Sequence, residues 1–194
     1  MSVECAGLQS ALYTHVTPNP RIDDATAGAA VYAEEGCDIL VAVGGGSAID
    51  CAKCIGLLAA NRGDLRDLVG VDNVGAPMPP TICIPTTAGT SADLSQFATI
   101  VDAEIKRKLL IISKAVVPDL SLIDPATLTT MDAFLTACTG LDALVHALEA
   151  YVFAGALAAD GRSCAGGHAA YQLQSPAVDR RAGQSRVSRQ HDAG

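Results

Sequence analysis

The sequence predicts an α/β fold, a parallel sheet with helices packed on it, passing into a helical region and then a tail. Three observations carry this. Strand and helix signals alternate through the first two thirds of the chain. The apolar half of the 194 residues is mostly Ala, Val, Leu and Ile, with 3 Phe, 4 Tyr, no Trp and 18 Gly. Small aliphatic residues and glycines suit close helix–sheet contact. The language of the chain then changes after Tyr151.

In order, 11–16 reads as a short strand closed by Thr17-Pro-Asn-Pro20. Residues 22–35 read as a helix with Asp23 and Asp24 near its positive end, and Gly36 stops it. The continuous apolar run 37–43 has the pattern of a buried parallel strand. Gly44-Gly-Gly-Ser47 is a glycine turn into a helix from about Ala48 to Ala60, with Ser47 as its cap. Asn61 to Asp64 breaks that helix, and 70–80 is a Gly/Pro-rich connection. Thr81 to Ile84 is a strand ending in a hydroxyl-rich loop, Pro85 to Ser91. Residues 97–101 and 108–112 pair around a polar turn, 120–123 is a last strand, and Asp124-Pro125 opens a helical region running to Tyr151.

Residues 1–151 carry 18 acidic and 8 basic side chains, whereas 152–194 carry 3 and 5, every basic one an Arg. The tail has no Ile, no Lys and no periodicity, a composition that does not readily bury a core, so it is expected to be disordered. A reading-frame shift in the gene is preferred over a genuine flexible tail. The formal charge of −8 argues against nucleic acid or anionic membrane as partner. No stretch approaches the apolar length of a membrane span, and the N-terminus lacks the basic region of a signal peptide. Seven scattered cysteines suggest free thiols and a cytoplasmic setting. Cys51-Ala-Lys-Cys54 lies inside a predicted helix and reads as two small helix residues.

Three groups carry candidate chemistry. The glycine turn, Gly44 to Ser47, presents free N–H groups and a helix dipole to an anion, but an ordinary tight turn fits that stretch equally well. It is neither a GxGxxG fingerprint nor a P-loop. The loop 85–91 sits where parallel sheets bind ligands, and two such loops favour a diphosphate-bearing nucleotide. Asp142 and His146, at i and i+4, share a helix face and can hold one metal ion. A capped helix start and a packed core His is the competing reading. Glu149 extends the stripe and reads as a partner of the pair, not a ligand; burying the stripe unpaired would be costly.

Residues 16–151 resemble the iron-containing (group III) alcohol dehydrogenases, related to glycerol dehydrogenases and dehydroquinate synthases. The matching stretches are TPNP (17–20), GGGSAIDCAK (44–53), PTTAGTSAD (85–93), ISKAVVPDLSLIDP (112–125) and TGLDALVHALEAY (139–151). The resemblance implies a partial Rossmann-like NAD(P)-binding domain over 1–124, the start of an all-helical metal-binding domain over 125–151, and a non-family tail over 152–194. It assigns the cofactor, NAD or NADP, to Gly44, Gly45, Gly46, Ser47, Asp50, Thr86, Thr87 and Thr90, with Lys114 near the ribose. It assigns a divalent metal, Fe(II) or alternatively Zn(II), to Asp142 and His146. The implied reaction is hydride transfer between a small alcohol or aldehyde and NAD(P), in proteins that form homo-oligomers.

The resemblance also implies departures. Family members begin with further strands, including the one that separates NAD from NADP. They carry two later His ligands, a role not transferred to His168 or His191. The expectation is therefore a fragment inactive as written, with a non-catalytic remnant, a weak nucleotide-binding module or a glycerol-dehydrogenase-like relative as alternatives.

Overall fold

In the computed structural model, residues 7–152 are described. The chain divides into two compact units, Met1–Thr87 with Ser91–Thr130, and Ala88–Thr90 with Met131–Gly194. The tail from 153 onward, with His168 and His191, lies outside the described residues.

The first unit is built around one helix. Helix α1 (Ile22–Glu34) leads to strand β1 (Leu40–Gly44), which turns directly into α2 (Gly46–Ala60). Strands β2 (Gly70–Val71), β3 (Thr81–Pro85), β4 (Phe97–Asp102), β5 (Arg107–Ile112) and β6 (Leu120–Ser121) follow. One sheet runs β1-β3-β6, all parallel, with Val41 beside Ile82 and Cys83 beside Ser121. The other runs β2-β5-β4, in which β4 and β5 form the antiparallel pair that the sequence predicts around 102–106.

Helix α2 is apolar on most of its circumference because it faces both sheets and α1. Cys54, Ile55 and Leu57 pack with Ala98, Ile100 and Ile111 in one core cluster, while Ile49 packs with Ala42 and Cys83 in another. Gly28 lets α1 approach, since a Cβ there would meet the Ile55 side chain. The CxxC residues are two such packing positions. Burial pushes the Cys51 thiol up to about 12 and the Cys54 thiol higher, so neither is a thiolate poised for metal or redox work.

Several sequence expectations need correction. Residues 11–16 form no strand, having no ladder partner among the described residues; the segment is fixed instead by Tyr13, whose hydroxyl donates to the Asp24 carbonyl at 2.7 Å. The run 37–43 is strand only from Leu40, and one face is bare, with Val41 58% and Val43 60% exposed. The connection 70–80 contains β2, recruited by β5. Strand β6 is only two residues long. The region after Asp124 is broken: a 3-10 turn spans Pro125–Leu128, and helix α3 (Ala133–Val152) starts afresh with Asp132 capping the Leu135 amide at 2.7 Å. Helix α3 is also long and apolar enough to cross a membrane by length and composition, contrary to the sequence expectation. Asp142, His146 and Glu149 in its second half argue against such a span, because ionisable groups are costly in hydrocarbon.

One ion network fastens the β4–β5 turn. Arg66 reaches Asp102, Asp64 at 2.8 Å and Glu104 at 2.9 Å, and Asp102 also accepts from the Glu104 amide at 2.9 Å. The Arg66 guanidinium holds the Asp102 carboxyl below the usual carboxylate range. A depressed folded-state pKa contributes stability above the unfolded value and loses it as pH falls through the folded one. Acid unfolding should therefore steepen below about pH 4, the unfolded Asp range. Asp102→Asn should flatten that dependence in denaturation midpoints measured from pH 7 to pH 2.5.

Candidate functional site

The glycine turn follows from the demands of a strand passing straight into a helix. Gly44 ends β1 at φ +155°, and a Cβ there would lie 2.6 Å from Ala48 Cβ. Gly45 is the extended N-cap residue, and a Cβ there would lie 3.0 Å from Thr87 Cγ2. The helix begins at Gly46, not Ala48, so Ser47 lies within the first turn and is not the cap. Its Oγ instead accepts from the Asn19 amide at 3.4 Å. No side chain caps α2. The Gly46 and Ser47 amides cannot bond within the helix, which leaves donors suited to an anion.

The first residues of the hydroxyl loop, Thr86 and Thr87, meet this turn within the same unit. The Thr86 amide donates to the Gly44 carbonyl at 2.9 Å, and the Thr87 side chain covers Gly45. Asn19, in the left-handed region at φ +56°, brings the Thr17-Pro-Asn-Pro20 turn to Ser47. Asn tolerates that conformation better than most residues. Asp24 locks the turn by accepting from Thr17 Oγ1 at 2.6 Å and from the Arg21 amide at 2.9 Å. Asn19 is the neighbour that reading loop by loop missed, although its motif was visible.

Two sequence candidates have other neighbours. The Asp50 carboxylate accepts from the Thr99 hydroxyl, and burial raises its pKa despite that bond and the nearby Lys53 ammonium. Lys114, itself exposed, begins a 3-10 turn after β5 that buries Val116, and no hydrogen bond or ion pair joins Lys114 to the glycine turn among the described residues.

In the second unit, Asp142, His146 and Glu149 lie along α3. His146 Nε2 is 3.6 Å from Asp142 Oδ1, and Nδ1 is 4.0 Å from Glu149 Oε2. The two ring nitrogens thus face different carboxylates. The first gap is short enough for Asp142 and His146 to serve one divalent ion together. The stripe is not buried, with His146 56% and Glu149 71% exposed, so the desolvation cost expected from sequence does not arise. The loop tip belongs to this unit: a Cβ on Gly89 would lie 3.1 Å from Thr139 Cβ and 3.3 Å from Asp142 Oδ2. Thr90, beside it, is exposed. No group of three metal-binding side chains occurs among the described residues.

Comparison with known proteins decides the lineage. Residues 2–125 match the family described as iron-containing alcohol dehydrogenase. The chain belongs to the iron-containing alcohol dehydrogenase family. Among its curated relatives, the 1,3-propanediol dehydrogenase of Klebsiella pneumoniae is 42% identical over 147 residues, 76% of this chain and 38% of that protein. The NAD-dependent methanol dehydrogenase of Bacillus methanolicus is 42% identical over 151 residues, 78% of this chain and 40% of that protein. The solved alcohol dehydrogenase from Oenococcus oeni superposes with a TM-score of 0.81 at 34% identity, covering 84% of this chain and 42% of that one. The chain therefore spans about two fifths of the length of these iron-containing alcohol dehydrogenase relatives. The family match ends at residue 125, ahead of Asp142 and His146.

Proposed function

We propose that this chain carries the nucleotide-binding part of an NAD(P)-dependent, metal-dependent alcohol dehydrogenase, together with two of its metal-ligating side chains. The observation that supports this best is the paired loop, with Thr86 and Thr87 packed on an uncapped helix start at Gly45 and Gly46. In this reading the Gly46 and Ser47 amides donate to the pyrophosphate, and Gly44 and Gly45 keep the turn free of side chains. Thr86 and Thr87 line the cofactor, and Lys114 lies toward its ribose. Asp50 acts from behind through Thr99.

Asp142 and His146 are the donors for a divalent metal, Fe(II) or Zn(II), and their oxygen-and-imidazole chemistry fits either ion. Glu149 lies on the side of the other imidazole nitrogen, at 4.0 Å, where a carboxylate can take the outer-shell role once the ring is held by a metal. A metal held by Asp142 and His146 would supply Lewis-acid polarisation of an alcohol oxygen, and a nicotinamide held at the glycine turn would supply the hydride carrier. The substrate class proposed is a small alcohol or aldehyde, in keeping with the propanediol and methanol named for the relatives.

Calorimetric titration of NAD and of ADP into the 194-residue chain tests the nucleotide reading. Saturable heat for both ligands, with AMP weaker than ADP, is expected. Absence of heat for NAD and ADP at millimolar concentration would rule it out.

A further inference from the structure

Lys53 is fully buried, and its long cationic side chain is spent on backbone. Its Nζ donates to the Ser95 carbonyl at 2.8 Å, the Phe97 carbonyl at 2.9 Å and Ser95 Oγ at 3.3 Å. An ammonium has three protons, and each has an acceptor here. Burying such a charge is expensive, and an apolar side chain of similar volume would fill the space at lower cost. What an apolar residue cannot do is grip two carbonyls of the irregular stretch that leaves the hydroxyl loop at Ser91 and enters β4.

That stretch and α2 are the two supports of the paired loop. From Gly46 to Lys53 is about two turns of rigid helix, roughly 10 Å. From Ser91 to Ser95 is only the short segment following the loop. Asp50 on α2 and Asp93 on the loop segment are the carboxylates that favour the ammonium, though burial outweighs them and pushes the Lys53 pKa down. Asp50 is itself held by Thr99 of β4, and Asp93 by the Ser121 hydroxyl of β6. These groups tie α2, the loop segment, β4 and β6 together around one cation.

We infer that Lys53 is a positioning residue for nucleotide binding: its buried ammonium fixes the spacing between the glycine turn and the hydroxyl loop. It touches no ligand itself and acts through the backbone of residues 95–97 and the start of α2. The inference rests on the nucleotide reading above.

The test is calorimetric titration of ADP into the full chain as wild type, Lys53→Met and Leu68→Ala. Methionine keeps the apolar length and deletes the ammonium, and ADP affinity should fall on the order of tenfold in the folded variant. Leu68→Ala removes a buried core side chain from the 65–68 turn, which is part of neither loop and makes no bond to Lys53. It should lower the denaturation midpoint and leave ADP affinity at the wild-type value. Where Lys53→Met does not fold, Thr99→Val carries the test: loss of the hydroxyl that holds Asp50 should weaken ADP about threefold. Unchanged ADP affinity in folded Lys53→Met, or in Thr99→Val when the first variant does not fold, overturns the inference. So does an equal affinity loss in Leu68→Ala, which would reduce Lys53 to general stability. A wild-type chain that binds no ADP overturns the nucleotide reading and this inference with it, an outcome distinct from the other two.

Discussion

Valine at position 44 is expected to lower the unfolding free energy by about 4 kcal/mol and to remove ADP binding from whatever remains folded. Two costs combine. A φ of +155° is open to glycine and strained for a β-branched residue, at about 1–3 kcal/mol. The new Cβ would also sit 2.6 Å from Ala48 Cβ, a backbone-fixed methyl that cannot swing aside, and overpacking adds about 1–3 kcal/mol. The sum is a large share of the roughly 5–15 kcal/mol that holds an ordinary domain together. Gly36→Ala is the matched comparison, because Gly36 has φ +62° but open space around it. It should cost only about 1 kcal/mol and leave ADP affinity intact. Urea denaturation and ADP titration of both variants measure this. A Gly44→Val protein as stable as Gly36→Ala, with ADP binding retained, would show that the turn relaxes without consequence.

The contrast between those glycines shows which parts of the site were legible in the sequence. Strand, glycine turn and helix were readable because apolar runs, glycines and a helical stretch each leave a local pattern. The β4–β5 hairpin was readable for the same reason. Ser47 reads as a cap in the sequence, but the chain bends two residues earlier, at Gly45, where the Thr87 side chain from the later hydroxyl loop leaves little room for a Cβ. The strand expected at 11–16 failed on a non-local condition too: its residues have strand propensity, but pairing needs a partner edge. Lys53 was the most informative omission. It stands in the sequence only as a letter of the motif GGGSAIDCAK, and nothing local says that its ammonium meets the Ser95 and Phe97 carbonyls. Asp142 and His146 gave the reverse result, since an i, i+4 spacing already fixes two side chains on one face whatever surrounds them.

That same spacing sets the expected outcome for catalysis. Supplied with NAD, Fe(II) and a small primary alcohol, the 194-residue chain by itself should show no NADH production above the blank. Asp142 and His146 give two donors, and Glu149 faces the imidazole nitrogen that points away from Asp142. A catalytic divalent metal is ordinarily held by three or more protein ligands. Two exposed donors on one helix leave the ion mostly hydrated, so it exchanges freely and is removed by any chelator. They also leave it without the dry, shaped cavity in which Lewis-acid polarisation gains most. In the proposed reading nucleotide binding rests on the other unit and should survive, so ADP heat without NADH formation is the combined expectation. Absorbance at 340 nm with and without chelator reads the catalytic half. Turnover abolished by chelator and restored by Fe(II) would mean that side chains beyond residue 152 complete the site, and the reading of residues 152–194 as non-family tail would fall.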